Sequence, residues 1–263
     1  MSLAVEFVGP GVTVQDRGRV GFMHLGVPRG GPLDRDLFER VRSSLGNAPE
    51  AAALEIPWHR ARFRALDSLV VSVDGEVRTL AAGEVLEVPA ASYAVRYLGL
   101  PGGIAAPLSL GGRGTLLVAS LGGLDGRMLR RGDVLHADIL PRSAPTTPSP
   151  RAPSSHTLAV HPLDDAPAAC LDALLHREFT VRPQVDRVGM RLAGEMPAGS
   201  SGHGASTPLV RGAIEVTPDG GLIVMGPDHP TTGGYPVVAV VARASQGALA
   251  QHRPGATVRF TRA

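Results

Sequence analysis

The chain has 263 residues, of which 26 are basic and 24 acidic, and its formal net charge at pH 7 is +2. This length is enough to bury one large or two small hydrophobic cores. The near balance of charge gives no electrostatic argument for nucleic acid or a membrane as a partner, so neither is predicted. All 26 basic residues are arginine, which excludes chemistry that depends on a lysine, such as a Schiff base or a Walker-type phosphate loop.

The chain has a single cysteine, Cys170, which excludes an internal disulfide and favours a reducing compartment, so a cytoplasmic location is predicted. Because its sequence neighbours are apolar, we expect Cys170 to pack in a core rather than act as a nucleophile. The N-terminus lacks the pattern of a signal peptide, and no apolar run reaches the roughly 18 residues of a membrane helix. We therefore expect neither a cleaved leader nor a membrane span.

The first fifth of the chain is predicted to contain one strand, one long loop and two helical segments. Residues 4–8 read as an apolar strand. Residues 14–33 fit neither a helical period nor a strand alternation, so they are predicted to form a loop. Asp34 is a suitable N-cap for a helix that ends at Gly46. Residues 47–53 are predicted to form a further short helical turn, because a proline suits the first turn of a helix.

From residue 54 onward the pattern predicts mainly short strands. Asp74 and Gly75 separate two of them and form a strong two-residue hairpin signal. The strands predicted in this part of the chain are residues 69–73, 76–80, 85–88, 93–98 and 116–120.

A segment rich in proline, serine and threonine, residues 143–155, is predicted to be an exposed linker. It separates a first domain, residues 1–142, from a second domain, residues 156–263. The second domain is predicted to contain a helix over residues 167–177 and a hairpin around residues 218–220. Its predicted strands are residues 157–160, 178–181, 213–216, 222–225, 237–242 and 257–262.

Many short strands, two helical segments and frequent Gly/Pro turns predict a mainly β protein with a few short helices. Sheets of this kind are closed into barrels or packed as sandwiches. The pattern by itself does not choose one type of barrel over another.

The predicted loop over residues 14–33 is the first candidate site, because it concentrates polar side chains between glycines. Within about fifteen residues it supplies an amide, a carboxylate, an imidazole and three guanidinium groups. These groups belong to Gln15, Asp16, Arg17, Arg19, His24 and Arg29. Loops that carry such groups on a rigid scaffold often form binding sites. From composition alone, a surface loop with solvated arginines is an equally good interpretation.

The second candidate site is the segment over residues 227–236. The hydroxyls of Thr231 and Thr232, the backbone amides of Gly233 and Gly234, and Tyr235 could surround an anion or a carbonyl group. The alternative is a tight turn that leads into the buried strand at residue 237.

Two further features near these segments remain open from the residues alone. Asp228 and His229 could form an acid–base pair, although neighbours in sequence rarely face each other in a strand. The glycine-rich segments over residues 111–115 and 121–123 could hold a phosphate together with Arg113. Glycine-rich turns between barrel strands are common, so this is a weak signal.

Several of these segments together resemble one protein family. The N-terminal motifs are Gln-Asp-x-Gly-Arg-x-Gly over residues 15–21, His-Leu-Gly-Val-Pro over 24–28 and Gly-Pro-Leu-Asp over 31–34. They are followed by Leu-Gly-Asn over 45–47, Ala-Ala-Ala-Leu-Glu over 51–55 and, near the end, Thr-Thr-Gly-Gly-Tyr-Pro over 231–236. This set resembles the KipA-like family, also called allophanate hydrolase subunit 2 or the C subunit of 5-oxoprolinase. The same module is similar to part of the carboxyltransferase domain of biotin-dependent urea carboxylase.

The resemblance covers nearly the whole chain and implies two cyclophilin-like β-barrel halves. The chain departs from the family pattern at Gly112 and Gly114, where the family usually has serines, and at Pro101, where it has an arginine. These differences put a phosphate or substrate role for that region in doubt.

The function that the resemblance implies is that of an enzyme subunit. It would act with a KipI-like partner and a separate LamB/YcsF-like hydrolase subunit in the ATP-dependent opening of 5-oxoproline to glutamate. ATP, with the presence of Mg left open, would be the cofactor of the complex, and no metal site is predicted in this chain. Asp16 and His24 would be catalytic, and a small amide would be the substrate. The predicted substrate-binding residues are Gln15, Arg19, Arg29, Asp228, Thr231, Thr232, Gly233, Gly234 and Tyr235.

Two alternatives follow from the same resemblance. The first is carboxyl transfer from carboxybiotin to urea or another amide, in which case the biotin must lie on another chain because this one has no lysine. The second is a non-enzymatic regulatory module that sequesters its KipI-like partner.

Overall fold

The protein was analysed as a computed structural model that describes residues 1–90, 94–146, 155–197 and 205–263. Residues 147–154 of the predicted linker lie outside the described residues, as does Tyr93 at the start of a predicted strand. The linker therefore stays a prediction.

The chain divides into two compact units. The first comprises Met1–Val20 and Gly30–Ala152, and the second comprises Gly21–Arg29 and Pro153–Ala263. Strands make up 38% of the structure and helices 13%, which confirms the predicted mainly β class. The division also separates the first candidate loop, since its residues 21–29 belong to the second unit.

The first unit contains nine described strands and one helix, α1, which spans Arg35–Ser44. The strands are β1 (Ser2–Val8), β2 (Thr13–Gln15), β3 (Ala53–Pro57), β4 (Ala61–Ala65), β5 (Leu69–Val73), β6 (Glu76–Leu80), β7 (Val85–Val88), β8 (Val95–Gly99) and β9 (Val134–His136). They form two antiparallel sheets, with the strand orders β7-β4-β1-β9 and β2-β3-β8-β5-β6.

The main core of the first unit combines apolar side chains from both sheets. Leu3 of β1 and Phe63 of β4 share it with Leu54 of β3 and Leu98 of β8. Burial of this apolar surface is the main force that holds the two sheets together.

Helix α1 covers a second, smaller cluster on the five-stranded sheet. Leu37, Phe38 and Val41 lie on its buried face and pack with Val95 and Tyr97 of β8. The predicted N-cap is confirmed, because the Asp34 Oδ1 atom accepts a hydrogen bond of 3.0 Å from the backbone N–H of Leu37.

The predicted hairpin at Asp74 and Gly75 is also confirmed. It joins β5 to β6, and both residues have positive φ, 53° and 94°, as a type I′ turn requires.

Three local predictions for this unit were wrong. Residues 47–53 contain no helical turn, because the Asn47 side chain instead bonds the Leu100 carbonyl and the Gly102 N–H. Residues 116–120 form a 3₁₀ turn, Leu117–Ala119, rather than a strand, and it is closed by backbone hydrogen bonds between Leu116 and Leu121. The predicted loop over residues 14–33 does not begin as a loop, because Val14 and Gln15 belong to the strand β2, which pairs with β3.

The second unit is built on seven strands that close into a barrel. They are β10 (Thr157–Pro162), β11 (Glu178–Val185), β12 (Gly189–Ala193), β14 (Ala213–Val216), β15 (Leu222–Met225), β17 (Val237–Val241) and β18 (Thr257–Arg262). Their order is β10-β17-β14-β15-β12-β11-β18, which confirms a barrel half there. Only the pair β10–β18 is parallel among the described strands of this barrel. A separate small sheet joins β13 (Thr207–Pro208) to β16 (Thr232–Gly233).

Two helices, α2 (Ala168–His176) and α3 (Arg243–Ala250), accompany the barrel. Cys170 of α2 is buried in the barrel core with Leu174, as predicted. Helix α3 was not predicted, because Leu249 is its one buried residue and the sequence therefore shows no apolar period. Within the described parts of the chain, no helix has the length and hydropathy needed to cross a lipid bilayer.

Candidate functional site

In the first unit, Gln15 and Asp16 lie buried at the end of β2 and are bonded mainly to the backbone. The Gln15 amide nitrogen donates to the Thr13 hydroxyl at 3.0 Å and to the Thr115 carbonyl at 3.1 Å. The Asp16 carboxylate accepts from the backbone N–H of Gly18 at 2.9 Å and from that of Arg113 at 2.5 Å. These bonds tie β2 to the glycine-rich segment over residues 111–115.

Arg19 belongs to the same cluster and is only 1% exposed. Its Nε atom donates to the Ser109 carbonyl at 3.0 Å, and its Nη2 atom donates to the Gly114 carbonyl at 2.6 Å. A guanidinium group inside a protein must satisfy its N–H donors, and these two carbonyl groups do so in part. The contacts favour a role for Arg19 in holding the segment over residues 109–114.

The glycines of this segment are required by close packing on the same side chains. A Cβ atom added to Gly112 would lie 2.8 Å from Arg19 Cγ, and one added to Gly114 would lie 2.9 Å from Asp16 Oδ1. This packing gives a physical reason for glycine at both positions in this chain.

The segment does not have the properties of a phosphate cradle. Its glycines pack against the chain itself, and the Arg113 Nη1 atom donates to the Ala106 carbonyl at 2.5 Å. Arg113 Nη2 lies 3.5 Å from Asp138 Oδ2. The residues of this segment therefore do not fit ATP, and no chemical step is assigned to them.

A second buried network in the first unit was not found from the sequence. The Tyr97 hydroxyl donates to Glu55 Oε2 at 2.6 Å and accepts from the backbone N–H of Asp34 at 3.1 Å. The N–H of Leu33 donates to the same Glu55 oxygen at 2.7 Å. Burial, followed by the neighbouring charge of Glu55, raises the pKa of Tyr97 well above its usual value. The network fixes the start of α1 to β3 and β8.

In the second unit, His24 and Arg29 are exposed. His24 lies in a 3₁₀ turn, Met23–Leu25, which ends at Gly26 with a φ of 79°. Neither His24 nor Arg29 makes a side-chain hydrogen bond or ion pair within the described residues. Both side chains are therefore free to contact a ligand.

Asp228 is buried and faces an arginine rather than the adjacent histidine. Arg187 Nε donates to one oxygen of Asp228 at 2.8 Å, and Arg187 Nη2 donates to the other at 3.0 Å. The backbone N–H of Asp228 also donates to the Arg187 carbonyl at 2.9 Å. This bidentate geometry is typical of a strong structural ion pair, and it gives no support to an acid–base pair of Asp228 with His229.

His229 is buried, and its Nδ1 atom lies 2.6 Å from the Pro230 carbonyl. A carbonyl oxygen only accepts, so Nδ1 carries the proton and Nε2 has the free electron pair. Burial lowers the pKa of His229, with a smaller contribution from the charge of Arg211. The side chain is therefore held in its neutral form at pH 7.

The turn over residues 231–235 follows directly, and it is partly accessible. Thr232 is exposed, whereas Thr231, Gly233, Gly234 and Tyr235 are half-buried. Beneath it lies Glu215 of β14, which the sequence analysis did not single out. Glu215 is 3% exposed, and its Oε1 atom has no hydrogen-bond partner among the described residues. Burial raises the pKa of this carboxyl group.

The structure thus sorts the predicted site residues into separate groups. Gln15, Asp16 and Arg19 form one buried cluster in the first unit. The other predicted site residues belong to the second unit. His24 and Arg29 are exposed, Asp228 is paired with Arg187, and the turn over residues 231–235 lies on Glu215. The described residues contain no cluster of three or more histidine, cysteine or carboxylate groups that could hold a metal ion.

The chain is similar in sequence to two kinds of protein, the C subunit of 5-oxoprolinase and urea amidolyase. It is 28% identical to the C subunit of 5-oxoprolinase from Haemophilus influenzae, over 94% of this chain and 87% of that protein. It is 28% identical to the protein of the same name from Escherichia coli, over 98% of this chain and 90% of that protein. It is also 27% identical to urea amidolyase from Lachancea kluyveri, over 98% of this chain but 17% of that protein.

Two solved structures have a similar fold. A crystal structure of TTHA0988 superposes with a TM-score of 0.88 and 30% identity, over 99% of this chain and 55% of that one. The chain thus spans about half of the TTHA0988 chain. The urea amidolyase of K. lactis gives a TM-score of 0.84 and 25% identity, over 99% of this chain and 18% of that one. A family model described as carboxyltransferase domain, subdomain A and B, matches residues 25–262, so the chain belongs to this carboxyltransferase-domain family.

Proposed function

We propose that the chain is the C subunit of a cytoplasmic, ATP-dependent 5-oxoprolinase, which opens 5-oxo-L-proline to L-glutamate together with a KipI-like subunit and a LamB/YcsF-like hydrolase subunit. The observation that carries this proposal is the extent of the match. The chain corresponds to 87% and 90% of two proteins named as this subunit of 5-oxoprolinase, but to only 17% of a urea amidolyase. This nearly end-to-end similarity favours the reaction of 5-oxoprolinase over that of urea amidolyase.

The chemical difficulty of the reaction lies in the lactam. Its amide group is an unstrained and poor electrophile, and ATP bound by the assembled complex would supply the phosphoryl group that activates it. Because the glycine-rich segment over residues 111–115 does not fit a nucleotide phosphate, we assign ATP binding to the complex rather than to this segment.

The residues of this chain would bind and orient the lactam. Arg29 would face the substrate carboxylate, and His24 would transfer a proton, because both side chains are exposed and unengaged in the described structure. The hydroxyl of Thr232 and the amides of Gly233 and Gly234 would donate hydrogen bonds to the developing oxyanion. Gln15, Asp16 and Arg19 would stabilise the fold of the first unit, rather than contact the substrate.

The experiment that tests the proposal is a reconstitution. The chain is combined with its KipI-like and LamB/YcsF-like partners, and ATP consumption and glutamate formation are measured with 5-oxoproline and, separately, with urea. We expect ATP use that requires 5-oxoproline and stops when this chain is left out. ATP use with urea alone would reject the proposal. Tight binding of the KipI-like partner without turnover of either substrate would support the regulatory alternative.

A second candidate function is carboxyl transfer to urea or another small amide. It is favoured by the family match over residues 25–262 and by the superposition on urea amidolyase at a TM-score of 0.84. In this case the carboxybiotin would be delivered from outside these 263 residues, because none of them is a lysine that could carry biotin. Urea-dependent ATP use that needs an added biotin carboxylase and biotin carrier would establish this function instead.

A further inference from the structure

Glu215 carries a buried carboxyl group that lies beside apolar side chains on the outer face of the barrel. In β14, Ile214 and Val216 point into the barrel core, so Glu215 points to the opposite face. Its partners on the neighbouring strands are Ile223 and Val237. Both belong to an apolar cluster on that face with Leu209, Ala213 and Met225.

Keeping a carboxyl group in this place costs stability. A buried polar group without a hydrogen-bond partner costs about 1–3 kcal/mol, and a buried charge costs more. Glu215 Oε1 is such a group within the described residues, and burial raises the pKa of the carboxyl group. Burial thus shifts the carboxyl group toward its neutral form, which has one O–H donor and one C=O acceptor on the same edge.

The turn over residues 231–235 packs closely on the Glu215 carboxyl group at Gly233. A Cβ atom added to Gly233 would overlap Glu215 Oε1 and would lie 2.6 Å from Leu209 Cδ1. A side chain at residue 233 is thus excluded by the space that Glu215 and Leu209 fill. This explains the first glycine of the double glycine in the turn.

We propose that Glu215 is a specificity-determining residue that pairs, from beneath the turn Thr231–Tyr235, with the cis amide edge of a lactam or of urea. A ring forces the amide of a lactam to be cis, so its N–H and C=O lie on the same side. A neutral carboxyl group matches this edge with two parallel hydrogen bonds, one given and one received. An open-chain secondary amide is trans and presents its N–H and C=O on opposite sides, so it makes only one of them. The inference rests on the proposed function, which supplies the substrate class.

Pairing requires Gly233 to move off the carboxyl group, and few backbone contacts oppose this movement: a hydrogen bond of 3.0 Å from the Leu209 N–H to the Thr231 carbonyl, and the small sheet of β16 with β13. The strand β16 is held to β13 by only two residue pairs, Thr207 with Gly233 and Pro208 with Thr232. Pro208 has no N–H to donate, which weakens this sheet further. A ligand that replaces these few bonds and satisfies Glu215 would offset the cost.

The test uses two small probes with the full chain: 2-pyrrolidinone, a lactam, and N-methylacetamide, a trans amide with the same donor and acceptor. Dissociation constants are measured by NMR titration for the wild type, Glu215→Gln and Glu215→Leu, with the exposed Glu195→Gln as the matched control. We expect the wild type and the control to bind the lactam at least about tenfold more tightly than the trans amide. Glu215→Gln should keep this preference, because a carboxamide also presents N–H and C=O on one edge. Glu215→Leu should bind the lactam about tenfold or more weakly than the wild type does.

Varying the pH gives a second readout that uses only folded proteins. Wild-type affinity for 2-pyrrolidinone should fall as the pH rises and Glu215 ionises, because the O–H donor is then lost. The affinity of Glu215→Gln should stay constant over the same range. Equal binding of the two amides by the wild type, or a pH response shared by Glu215→Gln, would overturn the inference.

The inference and the proposed function fail in different ways. If the reconstituted complex turns over 5-oxoproline at an unchanged KM with Glu215→Leu, the inference is wrong and the proposed function stands. If lactam binding depends on Glu215 but the complex consumes no ATP with 5-oxoproline, the inference stands and the proposed function is wrong.

Discussion

The buried polar groups of the first unit and those under the turn of the second unit differ in one respect. Around Asp16 and Arg19, the carboxylate and the guanidinium group are bonded to backbone amides and carbonyls. Under the turn, Glu215 Oε1 is buried without a partner in the described residues. Both places are polar and enclosed, but the Asp16 carboxylate and the Arg19 guanidinium group are bonded to their own chain, whereas Glu215 Oε1 is not.

This difference distinguishes polar groups that stabilise the fold from polar groups that can bind a ligand. Charged groups that are bonded to buried backbone, as Asp16 and Arg19 are, contribute to the specificity and rigidity of a fold. An unsatisfied buried group lowers stability and tends to be found at functional sites. Density of polar residues in the sequence pointed to the first cluster, whereas the state of the hydrogen bonds points to the second.

The largest expected effect is that of Asp228→Asn, which tests whether satisfied groups in the second unit are also structural. The substitution removes the charge that pairs with the buried Arg187 guanidinium. Breaking a buried ion pair from one side costs about 3–5 kcal/mol of unfolding free energy. Urea unfolding followed by circular dichroism would measure it. Asp172→Asn, at an exposed carboxylate beside His176, is the control and should change stability by less than about 0.5 kcal/mol. A loss of activity at unchanged stability would instead make Asp228 a ligand group.

Arg19→Met should have the next largest effect. It leaves the carbonyls of Ser109 and Gly114 without their guanidinium donor in a buried place. Hydrogen bonds to charged groups contribute about 1.5–3 kcal/mol each, so we expect a loss of about 3 kcal/mol in thermal or urea unfolding. Arg17→Met removes an exposed arginine that pairs with Glu39 and should be nearly neutral. If Arg19→Met unfolded like the wild type, the hydrogen bonds of Arg19 would contribute little to stability, and the contrast between the two regions would be lost.

The third prediction concerns Glu215→Gln and the pH dependence of stability. The folded pKa of Glu215 is raised above its unfolded value near 4.5, so the unfolded chain loses this proton first as the pH rises. The wild type should therefore lose stability relative to the variant above pH 4.5, until the folded carboxyl group also ionises. Each unit of pKa difference removes about 1.4 kcal/mol. We therefore expect the stability of the variant relative to the wild type to be greater at pH 8 than at pH 4.

Other titrating groups do not obscure that comparison. Burial lowers the pKa of His229, so its contribution is lost as the pH falls below the unfolded value of 6.5, which is the opposite sign. It is present in both proteins and cancels in the difference between their unfolding curves. Parallel curves for the wild type and Glu215→Gln would show that the Glu215 carboxyl group is solvated and would remove the contrast between the two regions.

Local signals in the sequence were sufficient for many of the elements and for some of their ends. Asp34 was predicted as an N-cap and Asp74-Gly75 as a hairpin turn, because each depends on residues close in the chain. The strands and the mainly β class followed from alternation and turn residues. Helix α3 was missed because its one buried residue, Leu249, leaves no apolar period.

The site was harder to predict, because it depends on contacts between distant residues. The pair of Arg187 with Asp228 joins positions 41 residues apart. In β14, the alternation around Glu215 suggests an outward polar residue facing solvent, which is the common case for an antiparallel strand. Only the structure shows that the turn at Gly233 covers this face. Arg19 and Gly114 are 95 residues apart, and the hydrogen bond between them favours a structural role for a residue predicted to bind substrate.

The smallest expected effect on stability, and the most direct test of the exposed groups, comes from His24→Ala and Thr232→Ala. Both side chains are exposed and lie outside the satisfied clusters, so each substitution should change the unfolding free energy by less than about 0.5 kcal/mol. If they contact the substrate, each should nevertheless lower 5-oxoproline turnover by the reconstituted complex about tenfold or more, since loss of one proton-transfer or oxyanion group has at least this size. His176→Ala, at an exposed histidine of α2, is the control for both measurements. A large loss of stability in both variants would mean that these segments serve the fold rather than the substrate.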